Sequence, residues 1–397
     1  MNICFYTADE VSPTQGGTER ITNTVAKNLT ELYNCKCYSL YAIKAQNGIV
    51  SSVFVESAMI TDVKKHKSQL KEILEKWNID IFINQGAFQL SSVFSEVLNE
   101  RNASYAFCHH FEPGWELNFL SFKGLVCTCK ADPTLKNFVK ICLYPYLAVR
   151  QKRTLPQAYN TTYQLADKVI LLSRRFIPKF MKYGRICDNS KFWVIHNSLS
   201  FDSFYDAEAL DQKEKNVLIV SRMEDTQKKI SYALNIWNEV EKSGEFPDWT
   251  LRLVGTGGDL PRYKRFVARN KLKQVVFEGA QPSEKFYKRS SIFMLTSQSE
   301  GWGLTLTEAQ QNGCVPIAFD TYDSLHEIIT DGNNGFIIPN GRFDIYVKRL
   351  KDLMRDKDTR HKMARSAIET SHRFEQSKIA KQWYKILNDI KKKDITI

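Results

Sequence analysis

The chain has 397 residues, too many for one ordinary core, and at ~150 residues per domain the length suggests two or three. Hydrophobic residues at 43% and charged residues at 25% exclude bulk disorder, and a formal charge of +12 calls for an anionic partner: nucleic acid, a membrane surface or a phosphorylated small molecule. No apolar run reaches the ~18 residues of a membrane-spanning helix, the first ten residues carry no basic leader, and nine scattered cysteines fit a reducing compartment, so the expected location is cytoplasmic.

Residues 3–7 read as a strand, followed by a loop with Pro13, Gly16 and Gly17. Residues 18–33 then set Ile21, Val25, Leu29 and Leu32 on one helical stripe. Further strands are predicted at 37–42, 79–84, 104–108, 168–172 and 192–195, most of them separated by helical stretches. Residues 198–215 are polar and acidic without strong periodicity and read as a linker. The alternation restarts with strands at 217–220, 251–254, 275–277, 292–295, 315–319 and 335–338, each followed by a helical segment. Such alternation implies right-handed crossovers and parallel sheets covered on both faces, and its restart implies two open α/β domains. Ile379, Trp383, Ile386 and Ile390 make the last helix amphipathic, so it must dock on something. The expected division is 1–203, 204–372 and a closing helix, 373–397, packing back on the first domain. Cys35/Cys37 and Cys127/Cys129 are Cys-x-Cys pairs and read as alternate residues of buried or half-buried segments rather than a metal site.

Open parallel sheets bind ligands beyond the carboxyl ends of their strands. After 292–295 comes Ser299-Glu300-Gly301-Trp302-Gly303-Leu304, with Glu308 further along the helix. Gly301 and Gly303 at a helix start let backbone amides approach a phosphate, and the two carboxylates suit sugar hydroxyls on either side of it. The plainer reading is a strand-to-helix turn followed by an exposed helical glutamate. After 217–220, Arg222 and Lys228 share one loop, where two cations suit a diphosphate leaving group. Pro13 to Arg20 offers another glycine-rich approach to a helix N-terminus. His109 and His110 follow the strand 104–108; with no Cys or carboxylate completing a spacing, they do not read as a metal site. Asp356-Lys357-Asp358, the only Asp-x-Asp spacing, sits away from any predicted strand and reads as a solvated helix connection.

Together these motifs resemble glycosyltransferase family 4, with its GT-B architecture of two facing Rossmann-like, doubly wound parallel-sheet domains and a C-terminal helix crossing back. The resemblance rests on Gly16-Gly17-Thr18-Glu19-Arg20, on Ser221-Arg222 with Lys228, on Glu-x7-Glu at Glu300 and Glu308, on Gly313-Cys314-Val315-Pro316, and on Asp331-Gly332-Asn333-Asn334-Gly335. It implies transfer of a sugar, with retention, from a nucleoside-diphosphate donor to a glycan or lipid-linked acceptor in cell-surface polysaccharide synthesis. It further implies that Arg222 and Lys228 hold the diphosphate, helped by Gly17 and by amides near Gly303 and Leu304. Glu308 would hold the ribose, Glu300 the donor sugar, and Gly301, Trp302 and Gly279 would line the donor. His110, three residues before Pro113, would face the sugar, with His109 as the alternative. Arg222 and Lys228 are one residue further apart than the family usually shows, which leaves Lys229 as the alternative cation. No cofactor or metal is expected. The alternatives are another GT-B enzyme, a nucleotide-sugar epimerase or sugar phosphorylase, and a non-catalytic partner of a transferase.

Residues 119–153 hold seven Lys and Arg against one Asp, half the net charge, interleaved with aromatic and aliphatic residues. Basic and aromatic residues together suit an anionic membrane surface, and no nucleic-acid motif appears.

Overall fold

The computed structural model describes residues 1–391 apart from 15, 46–48, 121, 123, 124, 127, 128 and 130–132, with 118–120 described in backbone only. Lys123, Lys130, Asp132 and Cys127 therefore lie outside the described residues, as do the side chains of Phe119 and Leu120. The chain divides into two compact units, Met1–His196 with Ile379–Ile397, and Asn197–Lys378.

Among the described residues the first unit carries seven strands: β1 Asn2–Asp9, β2 Lys36–Ile43, β3 Ser57–Met59, β4 Ile81–Asn84, β5 Ser104–His109, β6 Lys168–Leu171 and β7 Phe192–Val194. Their order is β3-β2-β1-β4-β5-β6-β7, and every neighbouring pair is parallel. The second unit carries β8 Glu214–Val220, β9 Thr250–Val254, β10 Val275–Gly279, β11 Ser290–Leu295, β12 Val315–Asp320 and β13 Phe336–Pro339. Its order, β10-β9-β8-β11-β12-β13, is again parallel throughout. Each order reverses once, between β1 and β4 and between β8 and β11, which is the doubly wound arrangement with a crevice at the reversal.

The strands explain themselves chemically. β4, β5 and β11 are buried at every position, so helices cover both faces and the sequence reads as apolar runs without alternation. β3 escaped the sequence reading because it is a three-residue edge with no apolar run. Along the helix Gly17–Tyr33, Ile21, Val25 and Leu29 are buried, but Leu32 in the last turn is 52% exposed, so the stripe stops early. Asn34, at φ 53, then ends the helix, its amide bonding to the Thr30 carbonyl.

Residues 198–215 are a packed return rather than a free linker. Leu210 is buried in the second core, and Gln311 donates to the carbonyls of Phe201 and Ser203. The Lys213 ammonium donates to the carbonyls of Tyr287 and Ser290. Side-chain-to-backbone bonds of this kind leave no period in the sequence. The helix Gln376–Ile390 begins in the second unit and ends in the first. There Tyr384 stacks on Tyr33 at 4.1 Å, the Ile390 carbonyl accepts from Ser104, and Lys391 pairs with Asp80. Ile379, Trp383 and Ile386 are buried, while Ile390 is only partly covered. Among the described residues no helix is long and apolar enough to cross a membrane.

Candidate functional site

The reversal in the second sheet places the loop after β8 beside the loop after β11. Lys228 and Glu300 meet there, Nζ to Oε1 at 2.7 Å, with side chains only 17% and 12% exposed. Gln227 ties the two loops together: its side-chain amide donates to the Ser299 carbonyl, its backbone carbonyl accepts from Gln298, and its Oε1 accepts from Arg222. Thr296 donates to the Lys229 carbonyl from the other side. Asp225 fixes the far end of the β8 loop by accepting from the Ser231 amide and hydroxyl and the Tyr263 hydroxyl. Burial pushes the Asp225 carboxyl up, but those bonds and Arg262 outweigh it and hold it below the usual carboxylate value.

Of the two lysines left open by the sequence, Lys228 joins Glu300. Lys229 takes φ 51 at the start of the helix Ile230–Lys242 and sets its ammonium 5.8 Å from the Tyr232 ring centre. Arg222 is 68% exposed, with Glu224 at 3.5 Å, so its cation remains open to solvent.

Gly303 caps the helix Leu304–Gln311 at φ 93, in the left-handed region, and a Cβ there would lie 2.9 Å from the Tyr322 hydroxyl. That hydroxyl is buried, and burial first, then the Glu300 charge, push its titration well above the ordinary tyrosine value. Gly301 instead offers its carbonyl to Ser324. Gly279 closes β10 with open space where a side chain would stand. Trp302 is buried edge-on to Phe374 at 5.3 Å. Glu308 is not the exposed helical glutamate of the plainer reading: it is 1% exposed, and its two oxygens accept from Ser200 and Tyr287 at 2.6 and 2.9 Å.

In the first unit, Gly16 caps the helix Gly17–Tyr33 at φ 67, and a Cβ on it would sit 1.7 Å from the Glu19 carboxylate. The helix N-terminus that Gly17 opens is thus already covered by a carboxylate of the same chain. Burial, the largest effect, raises the Glu19 titration. His109 and His110, at the end of β5, have different surroundings. His109 is 1% exposed among Phe88, Phe107, Tyr159 and Phe180 and belongs to the core. His110 lies beside Gln85, which follows β4, Nε2 to Oε1 at 2.5 Å. Since that oxygen only accepts, Nε2 carries the proton and Nδ1 is left as an acceptor in the neutral ring. Desolvation pushes both imidazoles down to about 3, so both are neutral near pH 7.

Asp356 has a different occupation: it caps the helix Lys357–Ser371 by accepting from the Thr359 amide. Among the described residues no group of three or more His, Cys, Asp or Glu is placed to hold a metal ion. The sequence reading missed Gln85, Ser200, Gln227, Tyr287 and Tyr322. Gln227 alone had a local signal, lying in the same loop as Arg222 and Lys228. Ser200 reaches Glu308 across 108 residues, and nothing in the sequence announces that pairing.

Residues 201–370 match the family model of glycosyl transferases group 1. The amylovoran biosynthesis glycosyltransferase AmsD of Erwinia amylovora is 28% identical over 57% of this chain and 63% of its own length. The poly(glycerol-phosphate) alpha-glucosyltransferase of Bacillus subtilis is 27% identical over 61% of this chain and 35% of its own. The chain therefore spans less than two thirds of the length of these curated relatives. Among solved structures, Anabaena HepE in complex with UDP and glucose superposes with a TM-score of 0.73 at 17% identity, covering 98% of this chain and 100% of that one. By sequence, residues 201–370 are similar to group 1 glycosyl transferases, and by fold the chain is a GT-B protein.

Proposed function

We propose that the protein is a retaining glycosyltransferase that moves a sugar from a nucleoside-diphosphate donor to a glycan or lipid-linked acceptor in polysaccharide synthesis on the cytoplasmic side of the membrane. The observation that carries this reading is the Lys228–Glu300 pair at the reversal of the second sheet, with Arg222 open beside it. A carboxylate and an ammonium held together at low exposure are a poor arrangement for stability alone, because desolvation offsets much of their attraction. They suit a ligand that separates them. An entering diphosphate takes Lys228 and Arg222, and the released Glu300 carboxylate accepts from the sugar hydroxyls.

In the reaction the bond from the anomeric carbon to the phosphate oxygen breaks, and the acceptor oxygen bonds to the same face of that carbon. The acceptor proton passes to the departing diphosphate. Arg222 and Lys228 stabilise the charge that develops on that leaving group, the work a cation does in metal-dependent transferases. Amides near Gly303 and Leu304 add the helix terminus, and Gly17 would do so only with Glu19 displaced. Glu308, fixed by Ser200 and Tyr287, is the ribose partner; Gly279, Gly301 and Trp302 border the donor, Trp302 as buried support. His110, neutral and held by Gln85, faces the sugar. An anionic membrane surface met through 119–153 fits a lipid-linked acceptor.

The complexes of HepE with UDP and with UDP-glucose make a UDP-sugar the first donor to try. A thermal-shift panel of UDP-, GDP-, ADP- and dTDP-sugars is the test. One nucleotide series should raise Tm, and the rise should vanish in Lys228→Ala. A chain stabilised by none of the four would overturn the reading.

A further inference from the structure

We infer that the helix Leu135–Cys142 and the first turns of the helix Tyr144–Leu165 form a docking surface for an anionic lipid bilayer. The helix Leu135–Cys142 is turned inside out for a water-soluble protein. Its apolar residues recur at Leu135, Phe138 and Val139, the spacing that normally faces a core. Here they are 80%, 59% and 43% exposed, and the buried position of the helix is polar Asn137. The surface continues through Leu143, Tyr146 and Val149, all about half exposed or more. Single exposed apolar residues are ordinary; six within fifteen positions form a patch that wants covering.

Charge selects the cover. From Pro133 to Ala166 there is no Asp or Glu, whereas Lys136, Lys140, Arg150, Lys152 and Arg153 all stand exposed. A second copy of the chain would bring the same positive charge to the same face. Nucleic acid would match the charge but not six aliphatic and aromatic side chains. An anionic bilayer matches both, with cations at the headgroups and apolar side chains below them. The helix is too short and too charged to span, so it lies in the interface plane. It is also preformed, with the Thr134 side chain capping it by accepting from the Asn137 amide, so docking does not first have to order it.

This surface deepens the proposed transfer by naming where a lipid-linked acceptor is met, but docking is measured without any transfer. The full chain is sedimented with vesicles of phosphatidylcholine alone or mixed with phosphatidylglycerol. The wild type should bind the mixed vesicles, more weakly at high salt. Lys136→Glu with Lys140→Glu should weaken binding by more than about thirtyfold, since removing two cations at ~1 kcal/mol each already gives that factor and the two new carboxylates add repulsion. Leu135→Ser with Phe138→Ser should release it as well. All four positions are exposed, so melting temperatures and the thermal shift given by a UDP-sugar should not change. Loss of docking then leaves the transferase reading standing, and loss of the nucleotide shift leaves docking standing. Wild-type protein that ignores mixed vesicles would overturn the inference, as would variants that bind as tightly as the wild type. So would a dimer, seen by light scattering, that both variants abolish, since a second copy would then be the occupant.

Discussion

Glu300 and Glu308 stand eight positions apart and have unlike surroundings. Glu300 is held by one cation at the mouth of a loop, while Glu308 is buried with both oxygens bonded. Substitution should therefore separate affinity from stability. Glu300→Gln keeps the shape and removes the charge, so it should leave the melting temperature nearly unchanged while lowering kcat at least tenfold. Glu308→Ala leaves the Ser200 and Tyr287 hydroxyls without their acceptor and should cost about 3 kcal/mol of folding stability in denaturant titration, in addition to weakening nucleotide binding. Equal and small effects of both substitutions would contradict this division. The motif spacing announced both residues; it could not announce that one is a half-buried loop group paired with a lysine and the other a core group.

At the scale of the element, β5 ends at His109 and His110 follows it directly, yet the two adjacent side chains have different surroundings. His109 goes to the aromatic core and His110 to Gln85. Both are held near 3, below the ~6.5 of an unfolded histidine, so the unfolded chain binds protons that the folded one does not. Their contribution is therefore full above pH ~6.5 and is lost as pH falls from there towards 3. The slope is up to about 1.4 kcal/mol per pH unit for each ring. Chemical denaturation between pH 7 and 5 should show this loss, and His110→Gln should make it shallower; an unchanged slope would argue against burial of His110. The same substitution should reduce turnover more than donor affinity. Alternation located β5, and motif spacing favoured His110 with His109 as the alternative; the side-chain contacts that distinguish the two are set by the fold.

For the molecule as a whole, the helix Gln376–Ile390 leaves the second unit and completes the first. Burying Ile379, Trp383, Ile386 and Leu387 there is worth about 8 kcal/mol as an upper figure, comparable to the stability of an entire domain. A chain ending at Glu375 should lose the first unit's cooperative melting transition and keep the second's, as read by calorimetry. Retention of both would show that the helix is dispensable. On the proposed mechanism, in which Arg222 and Lys228 supply the leaving-group charge, the reaction should also proceed in the presence of a chelator. Activity abolished by EDTA and restored by magnesium or manganese would overturn that assignment.

Several features were legible in the chain itself: two α/β units, from strand–helix alternation that restarts; the loops carrying Arg222, Lys228, Glu300 and Glu308, from their position after apolar runs; and a last helix in need of a partner, from its stripe. These are local matters, set by period and turn chemistry over a few residues. The tertiary structure alone decided that Lys228 rather than Lys229 meets Glu300 and that His109 is core. It also decided that Glu19 covers the helix start at Gly17, that residues 198–215 are packed, and that the helix Leu135–Cys142 shows its apolar face to solvent. Each of these depends on which side chains the sheet order brings together across tens of residues, and a one-dimensional pattern carries no record of that. The charge follows the same rule: +12 could be counted from composition, but the side chains standing beside each cation are set by the fold.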